Sequence, residues 1–167
     1  MNKPVVVGID PGLATTGFGF IYQEDDGSLH AVDYGVILTP AGMPIEERLL
    51  HIYRELKTLL ERYQPEGAAV EKLFFHRNVT TAMTVSQARG VVLLAMAELG
   101  LKVTEYTPMQ IKQSISGYGG ADKMQMQQMV RFLLSLEYIP KPDDAADALA
   151  AAICHLHSSR IERMASE

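Results

Sequence analysis

At 167 residues, with 47% hydrophobic and 21% charged side chains, the chain has the size and balance to bury a proper core as one domain without staples. Its single cysteine, Cys154, excludes an internal disulfide and a cysteine-built zinc site, and suits a reducing cytoplasm. The net charge of −5 argues against a uniformly basic partner for polyanions, yet residues 71–131 hold 7 basic and 4 acidic side chains, so a nucleic-acid partner is permitted though not demanded. The start MNKPVVVGID has too few consecutive apolar residues for a signal peptide. No apolar run approaches the roughly 20 residues that cross a bilayer, so no membrane partner is expected.

Three β-like runs come first, PVVVGID, TTGFGFIYQ and HAVDYGVILT. The turn signal EDDGS separates the second from the third and predicts an antiparallel meander. Ile45, Leu49, Ile52, Leu56, Leu59 and Tyr63 then recur at spacings of four and three, one apolar stripe on a helix opened by Pro44 and ended by Gln64-Pro65. GAAVE reads as a short strand, LFFHRN as a loop, and Val79 to Leu99 as a long helix. The second half of that helix is apolar nearly all round, which predicts a second buried face, either at a subunit interface or inside the domain. LKVTEY is a fifth strand, Pro108 begins a short helix, and SGYGG is a surface loop. Asp122 and Gln125 have capping-box spacing at the head of a helix to about Leu136. After PKPDD, an alanine-rich helix runs from Ala145 to about His157, with the tail after about 158 open to disorder. The order βββαβαβααα predicts an α/β fold with a five-stranded mixed sheet flanked by helices.

Asp10 and Glu71 each end a predicted strand, where open α/β sheets place their sites. A carboxylate at the end of an apolar run makes sense if something positive sits against it: a metal ion working on nucleic acid, or the magnesium of a bound nucleotide. Asp144 and Asp147 stand three apart on the last helix, so they share a face about 5–6 Å apart at Cβ. Four carboxylates from three separated segments repel one another unless cations occupy the cluster. Oxygen ligands without cysteine suit Mg²⁺ or Mn²⁺, and two ions about 3.5–4 Å apart suit phosphodiester hydrolysis. The alanines of the last helix let it lie close to the sheet, bringing Asp147 near Asp10. The bland alternatives are solvated strand ends and an exposed Asp147; Asp143 is expected to cap the helix N-terminus.

Taken in order, GIDPG with TGFG, AVEKLFF, QARGVVL, EYTPMQIKQS, KMQMQQMVRFLL and DDAADALAAAICH resemble the RuvC family of crossover-junction endodeoxyribonucleases, from about residue 4 to about 157. The resemblance implies a ribonuclease H-like fold and a homodimer that resolves four-way (Holliday) DNA junctions by symmetric paired nicks. It implies that Asp10, Glu71, Asp144 and Asp147 are the catalytic carboxylates and hold about two Mg²⁺ ions, with Mn²⁺ a substitute. It sets Phe74 against bases at the junction centre, where an exposed ring stacks without reading sequence. Phe75 is either a second platform or a core plug. Lys112 and Lys123 fall on the family's DNA-contacting lysines; Lys123 also sits at a helix N-terminus, which favours phosphate. Arg77 and Arg89 are further phosphate candidates, with a subunit interface the alternative for Arg89. The family also implies a cytoplasmic enzyme partnered by the RuvA and RuvB branch-migration complex. His155 is expected at a helix end rather than in catalysis.

Three rivals remain. A nucleotide-binding ATPase of the actin and sugar-kinase kind shares an early DxG loop, but needs a second lobe that 167 residues cannot hold. A junction-binding pseudo-enzyme would not need all four carboxylates. A monomeric nuclease on another nucleic acid fits poorly with the basic loop at Phe74 and the oily helix at 91–97.

Overall fold

The parity of the strands organises everything around the site. In a computed structural model, which describes residues 3–73 and 79–166 (backbone alone at 162, 163 and 166), β1 is Val5–Asp10, β2 Thr15–Gln23, β3 Leu29–Leu38, β4 Gly67–Glu71 and β5 Val103–Tyr106. The helices are α1 Ile45–Tyr63, α2 Val79–Glu98, α3 Pro108–Ser116, α4 Lys123–Leu133 and α5 Asp143–Ser166. The five strands form one sheet in the order β3-β2-β1-β4-β5. β1–β2 and β2–β3 are antiparallel, while β1–β4 and β4–β5 are parallel, as the meander and the later strands predict.

Each face of the sheet carries its own core, because side chains alternate along a strand. Val7, Ile9, Phe18, Phe20, Ala68 and Val70 pack with Ile52, Leu56 and Leu60 of α1 and Val92 and Met96 of α2. Val6, Ile21, Ala69 and Tyr106 pack on the other side with α3, α4 and α5. Burial on both faces explains why β1 reads as a nearly continuous apolar run. By the same alternation Asp10 follows Val6 and Gly8, and Glu71 follows Ala69. Both carboxylates therefore emerge on the α5 face, at the same end of neighbouring parallel strands.

α5 lies directly on a pad of glycines. A Cβ at Gly8 would stand 2.0 Å from the Ala148 carbonyl oxygen, and one at Gly17 would stand 2.0 Å from that of Asp144. Across the contact the helix presents Ala145, Ala148 and Ala152, all fully buried. Small residues on both partners set the helix depth, so Gly17→Ala would push the start of α5 off the sheet.

Several elements differ in detail from the sequence reading. α1 buries Leu60 completely and leaves Leu59 partly buried and Ile45 exposed, so its core stripe is rotated from the expected one. Short helix α3 carries a capping box of its own, with Thr107 and Gln110 satisfying each other's backbone N–H groups. α4 has the expected box at Asp122 and Gln125 but ends at Leu133, before Ser135 turns into a left-handed conformation (φ 52°). α5 begins at Asp143 and continues to Ser166, past the expected end at about His157 and through the tail left open to disorder. By length and composition α2 is apolar enough to span a bilayer, which the sequence reading did not expect of any segment. It packs instead on α1 and keeps a buried arginine at its centre.

Candidate active site

Asp10, Glu71, Asp144 and Asp147 come together at the ends of β1 and β4 and the first two turns of α5. Asp10 is the centre of the group. Its carboxyl hydrogen-bonds with that of Asp144, and burial first, then the charges of Asp147, Asp144 and Glu71, push it up to about 8. Glu71 is raised by burial and by Asp147, with Lys112 pulling it back. Asp147 is raised by burial, with Lys123 opposing and Asp144 and Asp143 adding to the rise. All three shifts record the same physics: negative charge gathered in a poorly hydrated place lacks compensation, and a proton supplies it.

Among the described residues no three acidic or histidine side chains converge on one point as a closed metal centre would. The four carboxylates instead form a loose group around Asp10, with Asp10 and Glu71 lining one open hollow and Glu71 and Asp147 another. That arrangement suits Mg²⁺, which keeps several waters and takes only one or two protein carboxylates per ion, the rest of its shell coming from substrate oxygens. The donor set, oxygen only and strongly anionic, fits a pair of hard divalent cations.

Two hollows open on either side of Glu71, which lines both. One is walled by Asp147, Lys112, Lys123 and Gln127 over an apolar floor of Ile111, Met126 and Val130. Here the structure brings both predicted lysines beside the carboxylates. Lys123 Nζ sits 2.7 Å from Asp143 Oδ2, and Gln127 Nε2 donates to Asp143 Oδ1 at 2.9 Å. Asp143 is thus the first residue of α5 and a bracket for Lys123 rather than the predicted N-terminal cap. Its carboxyl is held below the usual range by Lys123 and Gln127. The other hollow is lined by Asp10, Pro11, Lys72, Leu73, Val85 and Arg89.

Arg89 departs from expectation. It is 9% exposed and turns inward, its Nη1 donating to the Glu71 carbonyl oxygen at 2.7 Å and its Nη2 pairing with Glu105. A guanidinium spent on the Glu71 carbonyl and the half-exposed Glu105 carboxylate is not a free phosphate contact, nor is it on the outer face of α2. Phe74, Phe75 and Arg77 lie outside the described residues. His155 packs edge-on against Tyr106, its Nδ1 2.9 Å from the hydroxyl; because α5 continues to Ser166 it lies inside the helix rather than at the expected helix end. Lys72 and Gln127 border the site without having been singled out in the sequence. For Lys72 the signal was its place directly after Glu71; for Gln127 there was none, since its partner Asp143 is 16 residues away.

The model of the family described as crossover junction endodeoxyribonuclease RuvC matches residues 6–155. The chain belongs to the RuvC family. It is 58% identical over 153 residues to the crossover junction endodeoxyribonuclease RuvC of Chloroflexus aggregans, covering 92% of this chain and 93% of that protein. Among solved structures it is similar to Thermus thermophilus RuvC, with a TM-score of 0.88 and 39% identity over 95% of this chain and 96% of that one. It is also similar to T. thermophilus RuvC in complex with Holliday junction substrate, with a TM-score of 0.86 and 36% identity over 94% and 96% of the two chains. The five-stranded mixed sheet is accordingly the ribonuclease H-like fold of RuvC, and the enzyme class is a crossover junction endodeoxyribonuclease that depends on divalent metal.

Proposed function

We propose that this RuvC-family chain, as one ribonuclease H-like nuclease domain in a homodimer, resolves four-way DNA junctions by symmetric paired nicks, with Asp10, Glu71, Asp144 and Asp147 as its catalytic metal ligands. The observation that carries this reading is the cluster of four interacting carboxylates, partly buried except for the exposed Asp147, beside a lysine-walled hollow. When bound, two Mg²⁺ ions, or Mn²⁺ in their place, would supply Lewis acidity for an attacking water and for the leaving oxygen. Asp10, which interacts with the other three, would hold the cations together with Glu71, Asp144 and Asp147. Lys112 and Lys123 hold the phosphates flanking the cut, and the Asp143–Gln127 bracket limits the angles Lys123 samples. By resemblance Phe74, Phe75 and Arg77 meet the junction centre.

Two nicks in two strands call for two active sites related by a twofold axis. The outer face of α2 supports such a pairing: Met83 and Leu94 are 60% and 62% exposed, and Gly90 between them has open space above it. An exposed apolar stripe around a glycine allows two copies of the helix to approach closely. Leu94→Asp is expected to convert a dimer to a monomer in size-exclusion chromatography at micromolar concentration. An unchanged elution volume would place the interface elsewhere. The RuvA and RuvB branch-migration complex is the partner that the family suggests, and cellular DNA as substrate places the enzyme in the cytoplasm.

The purified protein should cut a synthetic immobile junction in paired positions with Mg²⁺ or Mn²⁺, leave linear duplex largely intact and hydrolyse no ATP. Preferential cutting of duplex would sink the junction reading. Lys112→Ala with Lys123→Ala is expected to reduce the salt slope of junction binding by about 2, about one phosphate contact per lysine. Fluorescence titrations between 50 mM and 200 mM salt (about the range over which such contacts are lost) measure it.

A further inference from the structure

Glu71 ends β4 with a backbone problem that only a side chain solves. β1 and β4 pair in parallel, Gly8 opposite Ala69. Extending that register by one pleat places residue 11 where its N–H would donate to the Glu71 carbonyl, as in any parallel ladder. Residue 11 is Pro11, which has no N–H. On the opposite edge the ladder is complete, with the Lys72 N–H donating to the Tyr106 carbonyl at 2.7 Å. The carbonyl left over is taken by Arg89, whose Nη1 reaches it at 2.7 Å from α2. Glu105, whose side chain points to the α2 layer because it alternates with Tyr106, pairs with the other guanidinium nitrogen.

We propose that Arg89 is a positioning residue for Glu71: clamped by Glu105, it replaces the backbone donor that Pro11 lacks and so fixes the direction in which the Glu71 carboxylate enters the cleft. The inference rests on Glu71 being a metal ligand. A charge-assisted bond to a carbonyl in a nearly dry place is stronger than the neutral bond it replaces, and removing it leaves a polar atom without its partner. Pro11 and Arg89 line the same hollow as Asp10 and Glu71, so the loss is felt where the cations bind. Arg89 touches neither DNA nor metal; it acts through Glu71.

Arg89→Met keeps most of the volume and removes the donors. It is expected to speed hydrogen exchange of the Lys72 amide about tenfold or more while Val7 and Phe20 stay as in the wild type, a local change that general destabilisation does not produce. The Mn²⁺ concentration for half-maximal junction cleavage should rise about fivefold, with metal-free junction affinity within about twofold. Arg89→Lys, which can reach one acceptor but not both, should fall between. Unchanged Lys72 exchange and Mn²⁺ requirement in Arg89→Met, or faster exchange throughout the sheet, would overturn the proposal. If Arg89→Met does not fold, Glu105→Gln, which loosens the clamp and leaves the backbone contact, should show smaller shifts of the same sign, and no shift there overturns it. Glu71→Gln separates the two readings. An inactive Glu71→Gln beside an unaffected Arg89→Met refutes the positioning role alone, whereas an active Glu71→Gln refutes the ligand reading beneath it.

Discussion

Asp10→Asn is expected to slow junction cleavage by about a thousandfold or more while leaving junction affinity within about twofold. Asp10 is the carboxylate that interacts with all three others, so on the proposed two-cation reading its loss would disturb both positions at once. A lost ligand that costs about 4 kcal/mol of transition-state stabilisation corresponds to that factor. The lysines proposed to hold DNA, Lys112 and Lys123, are on α3 and α4 and are untouched by the change. Asparagine also removes repulsion of the phosphate backbone, so binding has a reason to strengthen slightly. Single-turnover cleavage of an immobile junction, with a gel-shift titration alongside, reads both quantities. If affinity falls in step with the rate, Asp10 is part of the binding surface and its role here is wrong.

A second large effect is expected in the metal-free protein. Asp10 has a folded-state pKa near 8 against an ordinary 3.8, so between those limits the folded state holds a proton that the unfolded state has released. Its contribution to stability is complete below about pH 4 and is lost as pH rises through about 8. The full loss is on the order of 5 kcal/mol, or a fall in Tm of roughly 10–20 °C for a chain of this size. Glu71 and Asp147 are raised as well and add loss of the same sign. Calorimetry in EDTA from pH 5 to 9 should show the decline, millimolar Mg²⁺ should reverse most of it, and Asp10→Asn should flatten it while melting higher than the wild type at pH 8. Superimposable profiles for wild type and variant would show that Asp10 carries no such strain.

These two experiments test one arrangement from opposite directions. The same crowding of negative charge that makes the cleft a cation site makes the metal-free fold less stable. Function and stability are therefore opposed at Asp10 and aligned at Arg89, where one guanidinium completes the β4 backbone and aims Glu71.

Much of this was legible along the chain because it depends on short-range rules. The element order follows from periodicity and turn residues, and the α4 cap follows from Asp122 and Gln125 being three apart. That Asp10 and Glu71 share a face follows from counting by twos along β1 and β4 once the two strands are paired. The alanines of α5 announced a close helix–sheet contact, although not that Gly8 and Gly17 were its other half. Local pattern along the chain thus fixes which segments form and which residue types gather at their ends. Which partner each group takes depends on how the elements pack together: Arg89 for the Glu71 carbonyl rather than for phosphate, Asp143 for Lys123 rather than for its own helix, and Leu60 rather than Leu59 for the core. Those choices are made between residues far apart in the chain, by packing and by the competition of acceptors for a few donors, and no local pattern encodes them.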